Sequence, residues 1–433
     1  MSETATLEQA REYVSKLEMF GMRLGLDRVR ALAARLGDPQ KEYRTIHVVG
    51  TNGKSSTTRF LSSILHAHGL RVGTYVSPHL VSLAERQLVD GLPSTDDEFY
   101  SLVARIMPAA AEVEATLPEG EVLTQFEVLT VVAYLHFKEQ GCEVAVVEAG
   151  LGGRWDATSI IQSDVQVITS IGLEHTEHLG ETTLAILEEK AAVIPEGGSV
   201  VAGTLGADVL ERLRTICGER GASSYALGDE FSLLTDLHQD AFDVFGVHDF
   251  YPNLRLSVLG SYQRANASVA IGAAELFLGR PLDVEATRTA LQCTSVPGRL
   301  EVISQQPFCV LDGAHNPSGM AEMLRSLDHI LDRRRLLAVV SILRDKGALE
   351  MLTDLAPRCD IVFVTQNSNP RSYPAEELAG ILEGLEDAPE VFVDPDPQSA
   401  VRSAFKLATS NQVIIVTGSL YLIADLKRSM PGS

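Results

Sequence analysis

Short aliphatic runs recur along this chain, each ending at a glycine or a polar residue, and nearly all alternate with stretches whose apolar residues repeat at helical spacing. The runs at 46–49, 72–76, 144–147, 165–170 and 199–202 read as strands, and the stretches at 26–36, 56–68, 126–139, 183–194 and 266–278 as helices. Strands joined through helices run parallel, and a parallel sheet needs helices over both faces. From about residue 297 the alternation restarts, with strands near 309–311, 337–342, 361–364, 391–393 and 413–416. We therefore expect an α/β fold in two domains, 1–296 and 297–433, within the two or three that a chain of 433 residues supports. Residues 222–259 are less regular and partly β in flavour, and 107–124 reads as a helix end and surface loop.

A formal net charge of -22 argues against a chain built to embrace a nucleic-acid backbone, so any phosphate must be bound locally. Five scattered cysteines form no CxxC or Cys/His cluster and fit a reducing compartment. The N-terminal stretch is charged and helical in period, and no segment approaches the roughly 18 apolar residues of a membrane span. The expectation is a cytoplasmic protein with no membrane or nucleic-acid partner, and a two-domain monomer.

Between the first strand and the next helix stands Gly50-Thr51-Asn52-Gly53-Lys54-Ser55-Ser56-Thr57. Glycines let successive backbone N–H groups point inward, the helix N-terminus adds positive potential, and Lys54 supplies a mobile charge for the outer phosphates. It departs from GxxxxGK[ST] in having Val48 at the first glycine position. Such loops serve motors, kinases, switches and ligases alike, so the loop names a nucleotide and not a reaction. Ser77, Glu148 and His175 each follow the carboxyl end of a predicted parallel strand, where ligands of open sheets gather. Together with phosphate oxygens and water they suit magnesium, although imidazole is an unusual ligand for so hard a cation. By spacing alone Lys190, beside an apolar stripe of Leu184, Leu187, Ala191 and Ile194, reads as a solvated helix lysine. In the glycine-rich stretch after Glu148, Arg154 and Asp156 offer a charge pair, either structural or reading a polar substrate edge. Asp312, His315 and Asn316 crowd the end of a second-domain strand more densely than a plain turn requires.

Read together, these motifs resemble the folylpolyglutamate and dihydrofolate synthases of the Mur ligase superfamily. GLDRVRALAARLGDPQ, IHVVGTNGKSS, VSPHL, EAGLGGRWDATS, ITSIGLEHTEHLG, EEKAAVI, YQRANA, PGRLE, LDGAHNP, RDKG and VTGSLYL all fall in the family's order. The resemblance implies Mur ligase architecture: a P-loop-containing, mostly parallel sheet domain followed by a smaller Rossmann-like α/β domain. It implies that Thr51, Asn52, Gly53, Lys54, Ser55 and Ser56 cradle ATP phosphates, that Asn266, Arg299 and Asp312 contact ATP, and that ATP lies between the domains. Ser77, Glu148 and His175 are implied to bind magnesium, with Lys190 a carbamylated lysine holding a second ion. Leu24 and Gly25, Thr124, Gln125, Phe126 and Glu127, and Trp155, Asp156 and Ala157 are implied folate contacts. Phe126 reads either as a ring stacked on the pterin or as ordinary helix core. His315 and Ser341 are implied to face the incoming glutamate. Departures from the family pattern are Ser55 for glycine, Glu174 for aspartate, Trp155 for leucine, Ala149 for valine, Ala192 for glycine and Tyr262 for histidine.

The reaction so implied is ATP-dependent addition of L-glutamate to dihydropteroate, or to the glutamyl tail of a folate, through an acyl phosphate. Lys54, His175 and Lys190 are its expected catalytic residues. The rival readings are a Mur-type amide ligase with another carboxylate acceptor, and a regulatory P-loop protein that has lost ligation.

Overall fold

The computed structural model describes residues 6–17, 25–235, 241–331 and 334–429. It divides into two compact units, one of Met1–Leu256 with Arg264–Thr294 and the other of Ser257–Gln263 with Ser295–Ser433. No described helix is long and apolar enough to cross a membrane.

The first unit opens with helices α1 (Leu7–Leu17) and α2 (Asp27–Arg35), then strand β1 (Arg44–Val49), buried in all but its first residue. Helix α3 (Lys54–Ala67) leads into β2 (Val72–Tyr75), and β3 (Gln87–Val89) with β4 (Leu92–Pro93) makes a short antiparallel edge. Helices α4 (Asp96–Glu114) and α5 (Gln125–Glu139) precede β5 (Val144–Glu148). Then come β6 (Val165–Ile168), the one-turn α6 (Thr176–Leu179), α7 (Thr183–Ala191), β7 (Ser199–Ala202), α8 (Ala207–Glu219) and β8 (Ser223–Ala226). The sheet order is β4-β3-β2-β5-β1-β6-β7-β8, and every pair from β2 to β8 is parallel. Because β5 and β6 flank β1, the residues just past all three strands share one edge of the sheet. That single fact gathers the phosphate loop, Glu148 and the segment after β6.

The irregular stretch resolves into an antiparallel sheet of β9 (Ser232–Thr235), β10 (Phe242–Phe245) and β11 (Phe250–Leu254). Glu275, on α9 (Ser261–Leu278), holds its turn, accepting from the amides of Val247, His248 and Asp249 and from the Tyr251 hydroxyl. A buried carboxylate with four donors is satisfied in place.

The second unit is a six-stranded sheet of β12 (Glu301–Gln305), β13 (Phe308–Leu311), β14 (Arg335–Val340), β15 (Cys359–Val364), β16 (Glu390–Val393) and β17 (Gln412–Thr417). Its order is β12-β13-β17-β14-β15-β16, parallel apart from the β12–β13 hairpin. Leu327, Val340, Met351, Leu352, Val362 and Ile415 belong to its core.

Candidate active site

The loop from Gly50 to Gly53 closes tightly on the residues that follow β6. Thr51 N–H donates to the Ser170 carbonyl at 2.8 Å, and Asn52 N–H to Ser170 Oγ at 2.9 Å. Thr169 Oγ1 and Ser170 Oγ both donate to the Asn52 carbonyl, at 2.6 and 3.0 Å. At Gly50, φ is 150° and a Cβ would stand 2.0 Å from Thr169 Oγ1, so no side chain fits. At Gly53, φ is 85° and a Cβ would stand 2.5 Å from Asn266 Oδ1, which places Asn266 against the loop. No side chain caps α3 at Gly53, so its first amides remain for an anion. Lys54 folds back on the loop, its Nζ donating to the Gly50 and Thr51 carbonyls at 2.7 and 3.0 Å. Ser56 is buried beneath it.

Glu148, the last residue of β5 and 1% exposed, draws two of the predicted residues together. Its Oε1 accepts from Ser55 Oγ at 2.7 Å and its Oε2 from Ser77 N–H at 3.0 Å. The serine that departs from the family's glycine thus holds the carboxylate in place. Arg86 donates to His79 Nδ1 and to Ser77 Oγ, at 3.1 and 3.4 Å. His175 has the left-handed φ of 45° at the start of α6. Among the described residues no three of His, Cys, Asp and Glu form a cluster able to hold a metal.

Lys190 corrects the reading from spacing: it is 1% exposed, not solvated. Its Nζ donates to the Gly50 carbonyl and to Glu174 Oε1, both at 2.8 Å. The buried face of α7 carries Ile186, Leu187, Lys190 and Ala191, whereas Leu184, taken as part of the stripe, is exposed. Burial pulls the Lys190 ammonium down to about 8 against the opposing pull of Glu174. Burial also works to raise Glu174, but Lys54 and Lys190 outweigh it and hold that carboxyl at about 2.

The proposed charge pair of Arg154 and Asp156 does not form. Arg154 turns to α7, where its Nε donates to Glu189 Oε1 at 2.9 Å and its N–H to the Glu189 carbonyl at 3.0 Å. Asp156 is buried and accepts from the Leu151 and Thr158 amides, at 2.7 and 3.0 Å, and from the Thr158 hydroxyl. Burial raises its pKa, against those donors. Ala157 is buried behind it, and Trp155 stands 47% exposed.

Thr124 and Glu127 form the capping box that starts α5, and Glu127 also accepts from Arg28 Nε at 3.0 Å. Their side chains are committed to the helix start. Gln125 Nε2 donates to the Val14 carbonyl at 3.2 Å. Phe126 lies against Gly150, where a Cβ would come 2.6 Å from its Cζ, and its ring tilts toward Tyr75 at 6.2 Å. Gly25 has φ 120°, while Leu24 lies outside the described residues.

In the second unit Asp312 follows β13, accepting from the Leu300 and Ala314 amides at 2.9 and 2.8 Å and from the Tyr262 hydroxyl at 3.3 Å. Burial raises its pKa, with Arg299 opposing. An Arg299 nitrogen would be 3.3 Å from a Cβ on Gly313. His315 Nδ1 donates to the Gly313 carbonyl at 2.9 Å. Ser341 is wholly buried, accepting from Asn367 Nδ2 at 2.9 Å and lying 3.2 Å from Ser372 Oγ.

The sequence reading missed Thr169, Ser170, Arg86 and Asn367. The first two carried a signal, paired hydroxyls immediately after a buried strand at the carboxyl edge.

The Mur ligase middle domain matches residues 48–274 and the Mur ligase glutamate ligase domain residues 298–420. A dihydrofolate synthase/folylpolyglutamate synthase of Bacillus subtilis is 33% identical over 434 residues, 98% of this chain and 99% of that protein. This chain belongs to the dihydrofolate and folylpolyglutamate synthase family of Mur ligases. Two solved structures of the family show the same fold. Mycobacterium tuberculosis folylpolyglutamate synthase complexed with ADP superposes with a TM-score of 0.92 at 32% identity, covering 99% of each chain. The bifunctional synthase of Yersinia pestis complexed with AMPPNP and Mn ion gives 0.85 at 32% identity, covering 98% of each.

Proposed function

We propose that this chain uses ATP and a divalent cation to join L-glutamate to a pteroyl or folyl carboxylate through an acyl phosphate. The observation that carries this reading is the convergence of Glu148 and Lys190 on the phosphate loop, the one through Ser55 and the other through the Gly50 carbonyl. Membership of a ligase family gives that convergence its chemistry.

Glu148, Ser77 and His175 would hold the cation. The rest of its shell would come from phosphate oxygens and water. Bound there, it would spread the charge on the phosphates during transfer. Lys54 exchanges its two loop carbonyls for outer phosphate oxygens when ATP fills the loop, and Asn266, Arg299 and Asp312 serve the rest of the nucleotide. An acceptor carboxylate oxygen attacks the γ-phosphorus and ADP leaves. The amine of L-glutamate, near His315, then attacks the acyl carbonyl, loses a proton and releases inorganic phosphate.

Lys190 meets the requirement for carbamylation. A pKa drawn down to about 8 keeps a share of the amine neutral and nucleophilic toward carbon dioxide near neutrality. The N–C bond forms with loss of a proton, and an anion then stands beside Glu174, an arrangement that calls for a cation. Phe126 and Trp155 supply the aromatic surface for the acceptor.

The test is to incubate the protein with ATP, magnesium and L-glutamate, offer dihydropteroate and tetrahydrofolate separately, and weigh the products. A glutamyl adduct formed with equal ADP and phosphate is expected from at least one acceptor. No adduct from either would overturn the assignment.

A further inference from the structure

We infer that Arg59, on the phosphate-loop helix, receives the reacting carboxylate of the acceptor. This rests on the ligase reading and adds a residue to it. Arg59 lies one turn past Ser55 on α3. Residues four apart on a helix are neighbours, about 6 Å apart at Cβ, and helical side chains lean toward the N-terminus. Arg59 is thereby carried over the face where Ser55 Oγ holds Glu148.

A guanidinium presents five N–H donors in a fixed planar fork. Arg59 is partly buried, yet among the described residues it makes no hydrogen bond and no ion pair. Burial pulls its pKa down while the fields of Glu148 and Glu85 pull it up. Neither carboxylate is idle: Glu148 accepts from Ser55 and Ser77, and Glu85 accepts from the Leu80, Val81 and Ser82 amides. Arginines nearby behave otherwise. Arg86 donates to His79 and Ser77, and Arg28 and Arg154 pair with Glu127 and Glu189.

An arginine held beside the phosphate site with its whole fork unclaimed lacks a planar oxyanion. The reaction brings one there, because the acceptor carboxylate must approach the γ-phosphate. The ATP phosphates already have the loop amides and Lys54, which leaves Arg59 for that carboxylate. The Phe126 ring lies against Gly150, just past β5, and so marks the same carboxyl edge of the sheet for the acceptor's aromatic part. Charge-assisted, two-pronged contact would orient the carboxylate for in-line attack.

The test uses Arg59→Lys and Arg59→Gln in the full chain, with thermal melts to confirm folding. Acceptor binding is followed by the fluorescence of Trp155, the only tryptophan, and ADP binding by calorimetry. Each protein is offered the acceptor and its carboxamide analogue. Wild type should prefer the carboxylate by about tenfold or more, and Arg59→Gln should bind both alike. KM for the acceptor should rise by about the same factor while ADP affinity stays within about twofold, with Arg59→Lys between the two. Unchanged discrimination in Arg59→Gln, or lost ADP affinity with acceptor binding intact, overturns the inference. Should Arg59→Gln fail to fold, full discrimination in Arg59→Lys overturns it equally. A wild type that ligates neither acceptor defeats the ligase reading instead, and the two failures are distinct.

Discussion

Lowering the pH from about 7.5 to about 5 should weaken the first unit by about 2 kcal/mol through His47 alone. His47 sits in the middle of β1, and burial holds its imidazole down at about 3 from an ordinary 6.5. Its Nε2 lies 2.8 Å from Thr158 Oγ1, and the Thr158 hydroxyl hydrogen points to Asp156, so the imidazole is the donor. The unfolded chain takes up a proton as the pH falls through 6.5, while the folded chain refuses it until about 3. The contribution is therefore whole above 6.5 and is lost progressively below it. At about pH 5 the unfolded imidazole lies some 1.5 units below its pKa, which at 1.36 kcal/mol per unit is about 2 kcal/mol. The limiting loss is about 5 kcal/mol at full protonation. Trp155 lies in the first unit, so its fluorescence during urea denaturation follows that unit. Comparing wild type with His47→Gln at both pH values cancels the other titrating groups. An equal loss of stability in the two proteins would refute the reasoning.

Lys190→Met should destabilise by about 3–5 kcal/mol, because Glu174 is left buried without its partner. Adding Glu174→Gln should recover most of that in chemical denaturation; no recovery would place the lysine's contribution elsewhere. Gly150→Ala should fold yet push the Phe126 ring aside, since a Cβ there meets its Cζ at 2.6 Å. KM for the acceptor should rise about tenfold, the equivalent of about 1.4 kcal/mol, with KM for ATP unmoved. An unchanged acceptor KM would separate Phe126 from that substrate.

The parallel sheet was legible because aliphatic runs such as those of β1 and β5 have no other place to go. The phosphate loop was legible because Gly50 and Gly53 are needed where a Cβ would strike Thr169 and Asn266. Lys190 was misjudged by phase: counting from Leu184 turns it outward, whereas counting from Ile186 and Leu187 turns it inward. Only neighbours distant in sequence, Gly50 and Glu174, make that burial tolerable for an ammonium. Arg154 and Asp156 were misjudged for a related reason. Their closeness in sequence suggested a pair, but the loop sends one to the end of α7 and the other into a cluster of amides.

A carbonyl oxygen has two lone pairs, and both at Gly50 are claimed by ammonium groups, from Lys54 and from Lys190. One donor is supplied at once by the local chain, the other only after 140 more residues. The nucleotide loop is thus shaped in two instalments, and during synthesis its second support arrives with α7. A truncated chain ending before that helix would keep every residue of the loop motif and still lack a buried donor that braces it. Recognising the motif in such a fragment would say little about whether it grips ATP.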